Sequence, residues 1–560
     1  MIDGSSFLTP VSLWKDFDNS QPLQPSKISE VKYDNFVYAE YYFSGRKTES
    51  GKVRIYSIFV TPDDGGNGNF ILYVPQIAEK MSYQSVNEYV KLGYSVLAVD
   101  IYGKREGAEN FTVYPEDIYY ANYDYRGRRM DFVDENARKT CWYEWVAVCK
   151  YGLAFLRSMD ASAKIGVVGV KVGADIAWQL AATEDKLDCA VMMFGAGWNA
   201  YLGIPKYSDR DIIMDEERRR YIAAVDAHAY AQYVKCPVLF LTSTNSQAFD
   251  FDRANDTLSR ISDGIPCVLT FAPTYNVFLD GYCKTDSELF LGKYLRGDDF
   301  DFPEKPTLDS FQDGNYIKFE LNFDKPSEVK ECKVFVNEGV IEPALRNWMR
   351  CDQKDDGDIK KGKLTFEYVV GGNPKIFFAF AVVRYKDGSS LSSKLICKKT
   401  DGVIPKRANL LYSSLNGLDG ITFYDINADG KKDVFVQTDD FIRLVKGAEN
   451  IYGAYSKYGL ISFKFNEPGC KLDENSIVKF DVFASEFCVL KLILMTKTDG
   501  GTKEFSYSQE ISAGASWRNL TVFILDFKSD EGMIVRDFDS IYALRIESEG
   551  KYAVNNILLI

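Results

Sequence analysis

The chain has 560 residues, too many for one hydrophobic core, and this length indicates roughly three or four domains. Apolar residues make up 46% and charged residues 26%, as in ordinary globular proteins, and the formal charge is −13. This negative charge argues against nucleic acid and anionic membranes as partners, because the averaged field repels both. No run of about 18 apolar residues is present, so no membrane-spanning helix is predicted.

The N-terminal sequence "MIDGSSFLTPVSLWKDFD" lacks the basic and apolar segments of a signal peptide. The 11 cysteines are scattered, and none forms a C-x-x-C pair. Most lie in apolar segments, where cysteine is usually a small buried hydrophobe: Cys149, Cys189, Cys236 and Cys267. These features predict a cytoplasmic protein, although a secreted chain trimmed of its signal would have the same sequence.

Residues 1–30 are predicted to form an arm, and residues 31–300 to form an α/β domain. Two strand-like runs, "VYAEYYFSG" and "KVRIYSIFVTP", begin this domain as a hairpin. Apolar runs then alternate with helical segments, from "NFILYVP" to "CVLTFAP", which predicts a doubly wound, mostly parallel sheet. Insertions at about 103–139 and 198–234, the second holding a helix over 215–234, are expected to cover the ligand crevice.

The pattern changes near "DFPEKP" at residues 301–306, after which strands alternate with turn clusters. Residues 301–402 are predicted to form an immunoglobulin-like β-sandwich, and residues 403–560 a jelly roll of eight or more strands. The predicted fold class is therefore a multidomain chain, in which the doubly wound α/β domain is followed by two all-β sandwich domains.

The segment "KIGVVGVKVGADIAWQLAAT" reads as a strand, a tight turn and a helix, with Lys171 between Gly169 and Gly173. This is the spacing of the G-x-S-x-G nucleophile elbow, in which small flanking residues let the central side chain project. A dinucleotide-binding turn would need G-x-G-x-x-G, which Gly166, Gly169 and Gly173 do not provide.

With its neighbouring segments, the elbow resembles the α/β-hydrolase superfamily, particularly its dienelactone hydrolase and acetylxylan esterase-like branch, over residues 35–295. The resemblance is carried by "GVKVGADIAWQLAA", "CWYEWVAVCKYGLAFLRS", "KCPVLFLTSTNSQAFDF" and "TFAPTYN". It implies a serine where Lys171 stands, an acid at Asn245 or Ser246, and a histidine at Val277. Because all three positions depart from the pattern, we interpret the domain as catalytically inactive.

Two other interpretations remain open. One is an active hydrolase with a displaced triad, in which Asp250 or Asp252 would replace the acid if their loop bends, or in which a desolvated Lys171 is the nucleophile. The other is a structural or assembly component. The single histidine, His228, is predicted to pack on a helix face with Tyr221 and Val225 rather than to catalyse.

Several features indicate binding. Tyrosines in the first insertion either suit a sugar-like ligand, with Lys171 as a further candidate contact, or simply pack the insertion: Tyr114, Tyr119, Tyr120, Tyr123 and Tyr125. The stretches "SWRNLTVFILDFKSDEG" and "YAVNNILLI" resemble galactose-binding-like carbohydrate-binding modules, and "VNEGVIEPALRNWMR" resembles an immunoglobulin-like module of carbohydrate esterases. The predicted partners are a carbohydrate, another protein or a second copy of the chain.

One loop has the spacing of a calcium site. Its oxygen ligands would be Asp425, Asn427, Asp429 and Asp433, with a glycine at the sharp turn. The alternative is an ordinary Asp-Gly hairpin between "ITFYDI" and "KDVFVQ". No cofactor is required by the sequence, and calcium is predicted only as a structural ion.

Overall fold

A computed structural model describes residues 7–77, 79–247, 249–354, 359–405, 409–424 and 434–560. The chain divides into two compact units. The first unit comprises Met1–Thr242, Ser246–Thr270 and Lys284–Phe302, and the second comprises Ser243–Asn245, Phe271–Cys283 and Pro303–Ile560. The break at Phe302 lies close to the boundary predicted from the sequence.

A mixed sheet of nine strands forms the centre of the α/β region. The strands are β1 (Ser26–Lys32), β2 (Phe36–Lys47), β3 (Lys52–Pro62), β4 (Phe70–Val74), β5 (Ser95–Val99), β6 (Ile165–Val170), β7 (Cys189–Met193), β8 (Val238–Ser243) and β9 (Cys267–Ala272). Their order is β1-β2-β3-β5-β4-β6-β7-β8-β9. Strands β1 to β3 and β5 pair antiparallel, whereas β5, β4, β6, β7 and β8 run parallel. The doubly wound, mostly parallel sheet predicted from the sequence is confirmed.

Helices lie between the strands from β4 to β9, and one helix stands at each end of the region. They are α1 (Pro10–Trp14), α2 (Tyr83–Lys91), α3 (Cys141–Met159), α4 (Val172–Thr183), α5 (Glu216–Ala224), α6 (Ala227–Tyr230), α7 (Phe251–Leu258) and α8 (Gly281–Leu291). Helix α3 begins at a Thr140 cap, whose side chain accepts a hydrogen bond from the Tyr143 backbone. Ten residues of α4 are buried, as its alanine-rich sequence suggests.

The N-terminal segment is more ordered than an arm. Its helix α1 places Trp14 against Tyr143, with the rings stacked at 4.7 Å and 16°. The Trp14 indole also donates a hydrogen bond to the Tyr230 hydroxyl at 3.0 Å. Strand β1 adds an edge to the sheet by pairing with β2. The segment therefore packs on the first unit through Leu13 and Trp14, while β1 itself is mostly exposed.

The helix predicted over residues 215–234 is wrong as a single element. Helix α5 ends before Val225, and α6 begins after Asp226, which has extended backbone angles (φ −63°, ψ 132°). The reason is tertiary: the buried Asp226 carboxylate accepts a hydrogen bond from the Trp198 backbone N–H at 2.7 Å. This contact outweighs the helical preference of the surrounding alanines.

The second unit contains two β modules that match the predicted sandwiches. The first has β10 (Thr307–Asp313), β11 (Tyr316–Asn322), β12 (Val329–Glu338), β13 (Met349–Arg350), β14 (Asp352–Gln353), β15 (Lys363–Val369), β16 (Ile376–Tyr385), β17 (Ser390–Ser392) and β18 (Ile396–Lys399). These strands form a sheet of four and a sheet built around β12 and β16. All of the strand pairings described in this module are antiparallel.

The C-terminal module holds eleven strands in the described residues and one short helix. They are β19 (Leu410–Tyr412), β20 (Thr422–Phe423), α9 (Thr438–Phe441), β21 (Arg443–Lys446), β22 (Tyr452–Tyr455), β23 (Leu460–Ser462), β24 (Ile477–Ala484), β25 (Cys488–Thr498), β26 (Gly501–Ile511), β27 (Arg518–Phe523), β28 (Ile541–Glu547) and β29 (Tyr552–Leu559). The strands form one sheet around β29 and β24 and a second around β28 and β25, with a shared apolar core.

All eleven cysteines lie within the described residues as thiols rather than disulfides. Cys149, Cys189 and Cys236 are buried, as predicted, and Cys267 is half-buried. Across the described ranges, no helix combines the length and apolarity needed to cross a membrane.

Candidate functional site

The turn between β6 and α4 is held by close backbone contacts. A methyl group at Gly169 would lie 2.1 Å from the Gly173 carbonyl oxygen, and one at Gly173 would lie 2.1 Å from the Val74 carbonyl oxygen. Such distances are far below van der Waals contact, so both positions require glycine. The two glycines therefore let α4 begin directly against the sheet, with Lys171 at the tip of the turn.

The backbone of Lys171 is strained. Its angles are φ 53° and ψ −114°, which lie outside the regions that side-chain-bearing residues ordinarily occupy. The conformation is fixed from both sides, because the Lys171 N–H donates to the Met193 carbonyl at 2.7 Å and the Lys171 carbonyl accepts from Ala174 at 2.9 Å. Strain of this kind is often found at functional turns. The Lys171 side chain is half-buried.

Asn245, matched to the acid position by the family resemblance, is buried within the second unit. Its side-chain N–H groups donate to the backbone carbonyls of Arg346 at 2.6 Å and Ala344 at 3.2 Å. Its side-chain oxygen accepts from the Thr244 hydroxyl at 2.9 Å. Two carbonyl acceptors select a donor, so a carboxylate could not replace this amide without electrostatic repulsion.

The other acid candidates lie in the first unit. Ser246 is buried. Asp250 caps α7, because its carboxylate accepts hydrogen bonds from the Asp252 and Arg253 backbones at 2.9 and 3.2 Å. It also lies 3.1 Å from the Arg253 guanidinium, and Asp252 is buried. Asp250 therefore has a structural role at the start of a helix.

The loop that carries Val277, matched to the histidine position, is packed inside the second unit. Val277 is half-buried, and the adjacent Phe278 ring lies 5.2 Å from Phe441 and 6.1 Å from Phe423. The Tyr275 hydroxyl bonds the Thr438 hydroxyl at 2.6 Å. This loop therefore anchors residues of the C-terminal module.

His228 lies in a buried cluster of the first unit. Only 3% of its surface is exposed, and its ring stacks on Trp198 at 4.0 Å and 15°. Its Nδ1 atom is 3.2 Å from a carboxylate oxygen of Asp226. The predicted packing role agrees with this burial, but the predicted helix face shared with Tyr221 and Val225 does not exist, because the helix breaks at Asp226.

A second carboxylate, Asp175, belongs to the same cluster. One oxygen accepts from the Gly197 backbone at 2.8 Å, and the other accepts from the Asn199 side chain at 3.0 Å. Burial and the nearby Asp226 charge raise the pKa of Asp175 to about 7, against the opposing effect of these two hydrogen bonds. The Tyr221 hydroxyl also faces the cluster, since Asn199 donates to it at 3.1 Å.

The loop after β4 contains an acidic residue that sequence reasoning did not single out. In α/β-hydrolases, a backbone N–H from this loop helps to bind the oxyanion. Here the Gln76 N–H donates to the Glu79 carboxylate at 3.2 Å, and the Tyr73 hydroxyl donates to the same carboxylate at 3.3 Å. A negative charge at this position opposes the binding of a second negative charge.

The tyrosines of the first insertion divide into two groups. Tyr114 is buried and donates to the Ile101 carbonyl at 2.6 Å, while Tyr120 bonds the Glu144 carboxylate at 3.3 Å. The remaining three are exposed by 37–39%: Tyr119, Tyr123 and Tyr125.

Two of the exposed tyrosines contact each other, and the third contacts an arginine. The rings of Tyr119 and Tyr125 lie edge to face at 6.4 Å, and the Arg128 guanidinium lies 4.8 Å from the Tyr123 ring. Of the five predicted tyrosines, these three present aromatic surface to solvent.

The predicted calcium ligands Asp425, Asn427, Asp429 and Asp433 fall outside the described residues. In the parts of the chain that are described, no group of three or more His, Cys, Asp or Glu side chains has the geometry of a metal site. The calcium site therefore stays a prediction.

Sequence reasoning missed Glu79, Asp175 and Asp226. Each acidic residue stands next to apolar or small residues, and none belongs to a recognised spacing. The useful signal for Asp175 was its place in the first turn of α4, between alanine and isoleucine, where an acid must either be buried or meet a partner.

The strain at Lys171 can be measured with a pair of variants. Lys171→Gly is expected to be more stable than Lys171→Ala by about 1–2 kcal/mol, because only glycine adopts these backbone angles freely. Exposed Arg219, in the middle of α5, provides the control. There Arg219→Ala should be more stable than Arg219→Gly by about 1 kcal/mol, because alanine favours a helix interior. Chemical denaturation of the four variants checks both orders, and equal stabilities at residue 171 would contradict the strain.

The Asp175 carboxyl should make stability depend on pH. The folded state holds this proton up to about pH 7, whereas the unfolded state loses it near the ordinary value of 3.8. Stability should therefore fall as the pH rises from about 4 to above 7, by roughly 4 kcal/mol for this group. Asp175→Asn should remove that part of the dependence in denaturation curves measured across this range. If the stability of the wild type and that of Asp175→Asn changed equally with pH, the raised pKa of Asp175 would be contradicted.

Comparison with known proteins agrees with this geometry. Residues 76–269 match the model of the Dienelactone hydrolase family. Among proteins of curated function, none matches the sequence.

Solved structures that match the chain include acetyl xylan esterase from Paenibacillus sp. R4. The two chains share 15% identity with a TM-score of 0.40, over 50% of this chain and 90% of the esterase. For acetyl xylan esterase 1 from Thermoanaerobacterium sp. JW/SL YS485, the identity is 15% and the TM-score 0.35, over 48% and 87% of the two chains. Similarity this low carries no information on activity.

The family match covers the sheet from the end of β4 to the start of β9, together with the turn at Lys171. The predicted resemblance is thereby confirmed at the level of the family and the fold. Residues 76–269 are therefore similar to the Dienelactone hydrolase family, and they lie in a sheet of the α/β-hydrolase type.

Proposed function

We propose that this chain is a carbohydrate-binding protein whose hydrolase-fold domain does not catalyse ester hydrolysis. The observation that carries the proposal is the burial and packing of its only histidine. His228 is 3% exposed, stacked on Trp198 and placed beside Asp226. A Ser–His–acid mechanism needs an imidazole that can take a proton from the nucleophile, and this buried ring is committed to packing.

The residues at the three triad positions support the same conclusion. Lys171 occupies the nucleophile position, and Asn245 uses its amide on two backbone carbonyls. The loop of Val277 contributes Tyr275 and Phe278 to packing in the second unit. The residue at each of these positions thus differs from the serine, acid or histidine that the family resemblance implies.

The carbohydrate ligand is inferred from exposed aromatic side chains. Tyr119, Tyr123 and Tyr125 offer rings that can stack on the C–H faces of sugars, and hydroxyls that can bond sugar hydroxyls. They lie in an insertion of the domain, where binding residues are often found.

A second candidate function is hydrolysis through Lys171 itself. The observation that favours it is the strained turn, which is retained although its central residue is not serine. A lysine amine can form a covalent acyl or imine intermediate if its pKa is lowered enough to deprotonate it.

An esterase assay decides between the two candidates. The wild-type chain is expected to hydrolyse p-nitrophenyl acetate and acetylated xylan no faster than buffer or Lys171→Ala. Turnover by the wild type that Lys171→Ala abolishes would contradict the proposal and support the lysine mechanism. Turnover that survives in Lys171→Ala would also contradict it, and would point to a displaced site.

Asn245 provides a separate test of the lost acid position. Asn245→Asp places a carboxylate opposite the Ala344 and Arg346 carbonyls, and should destabilise the protein by about 2–4 kcal/mol. Exposed Asn475→Asp, with the same chemical change, should alter stability by less than about 0.5 kcal/mol. Thermal unfolding monitored by calorimetry measures both. A stable Asn245→Asp variant would show that the position still accepts an acid.

A further inference from the structure

The C-terminal module holds a tryptophan side chain close to the backbone of two glycines. A methyl group at Gly447 would lie 2.5 Å from the Trp517 ring, and one at Gly453 would lie 2.8 Å from it. The indole N–H donates to the Ala448 carbonyl at 3.2 Å. The ring is half-buried, so its position is fixed while part of its surface remains in solvent.

A second aromatic ring extends this surface along the sheet. Phe483 of β24 lies 5.8 Å from Trp517, ring centre to ring centre, at an interplanar angle of 47°. Val482 and Ala484 on either side of it are buried, whereas Phe483 is half-buried. Because side chains alternate along a strand, Phe483 lies on the outer face of the sheet.

A polar row lies next to these rings on the same face. Asp481, two residues before Phe483, pairs across strands with Asn519 of β27. One Asp481 oxygen accepts from the Asn519 amide at 3.0 Å, and the other accepts from the Asn556 amide at 2.9 Å. Asn556 lies in β29 with a positive φ of 47°, which is uncommon for a residue other than glycine. The carboxylate is thus held in place by two amides at the surface.

We propose that this face binds a neutral polysaccharide chain, with Trp517 and Phe483 stacking on sugar rings and the row of Asp481, Asn519 and Asn556 bonding their hydroxyls. This rests on the proposed function and names a site for its ligand. Fixed aromatic rings complement the apolar faces of sugars, and carboxylate and amide groups complement hydroxyls. Lys479 lies on the same face of β24 and balances the charge of Asp481, which favours a neutral ligand over an anionic one.

Affinity electrophoresis of the full chain tests the site, in native gels containing xylan, galactomannan, β-glucan or the anionic polygalacturonate. At least one neutral polysaccharide should retard the wild type. Trp517→Ala and Asp481→Ala should each weaken that binding roughly tenfold or more. Phe311→Ala, which removes a 69% exposed ring from β10, should leave it unchanged.

Gly447→Ala is the sharper variant, because the atoms nearest to the added methyl group all belong to the Trp517 ring. It should displace the indole and weaken binding without removing an aromatic side chain. If Trp517→Ala lowers the melting temperature so far that folding is in doubt, Gly447→Ala decides the outcome.

Three results would overturn the proposal: no retardation by any neutral polysaccharide, unchanged retardation of Trp517→Ala and Gly447→Ala, or preference for polygalacturonate. Loss of binding only in a Tyr119→Ala, Tyr123→Ala double variant would reject this site and leave carbohydrate binding by the chain intact. Conversely, wild-type esterase activity together with loss of binding in Trp517→Ala would support this site and reject the inactive hydrolase domain.

Discussion

The close approach of helix α4 to the central sheet governs the structure of the first unit. Only glycine fits at Gly169 and Gly173, and the residue between the β6 strand and the helix is forced to a positive φ. These contacts are made entirely by backbone atoms, so they do not depend on the side chain at the tip. This explains how the turn of a nucleophile elbow can persist with lysine at its centre.

Polar groups in both units make interactions that hold the fold together. His228, Asp226 and Asp175 form a buried cluster that fixes the chain after β7, where Trp198 has a positive φ of 68°. Asn245 holds the segment at residues 344–346. Packing these groups contributes to stability, whereas proton transfer requires access to a reacting atom. The fold of a domain does not by itself establish its chemistry, so the hydrolase-type fold is compatible with the proposed loss of activity.

Much of the fold could be predicted from the sequence, because buried parallel strands and long helices leave strong local patterns. The helix at Cys141–Met159 and the strands β4 to β9 follow directly from apolar runs and their spacing. The break at Asp226 could not be predicted, since it depends on a backbone N–H that lies 28 residues away at Trp198. The role of Asn245 was also hidden, because its acceptors lie about 100 residues further along the chain. Sequence patterns therefore identified Lys171, Asn245 and Val277 as candidate site positions. The interactions of these residues could not be predicted, because they depend on contacts with residues distant in sequence.

The division of the chain has a consequence for its evolutionary history. The residues that follow β8 and complete β9 belong to the second unit, although both strands belong to the nine-stranded sheet. A recombination event that exchanged residues 303–560 for another module would separate Asn245 and Tyr275 from their partners at residues 344–346 and 438. Such an exchange would leave the segments that follow β8 and β9 without these hydrogen-bond partners, which limits the replacements that the second unit can accept.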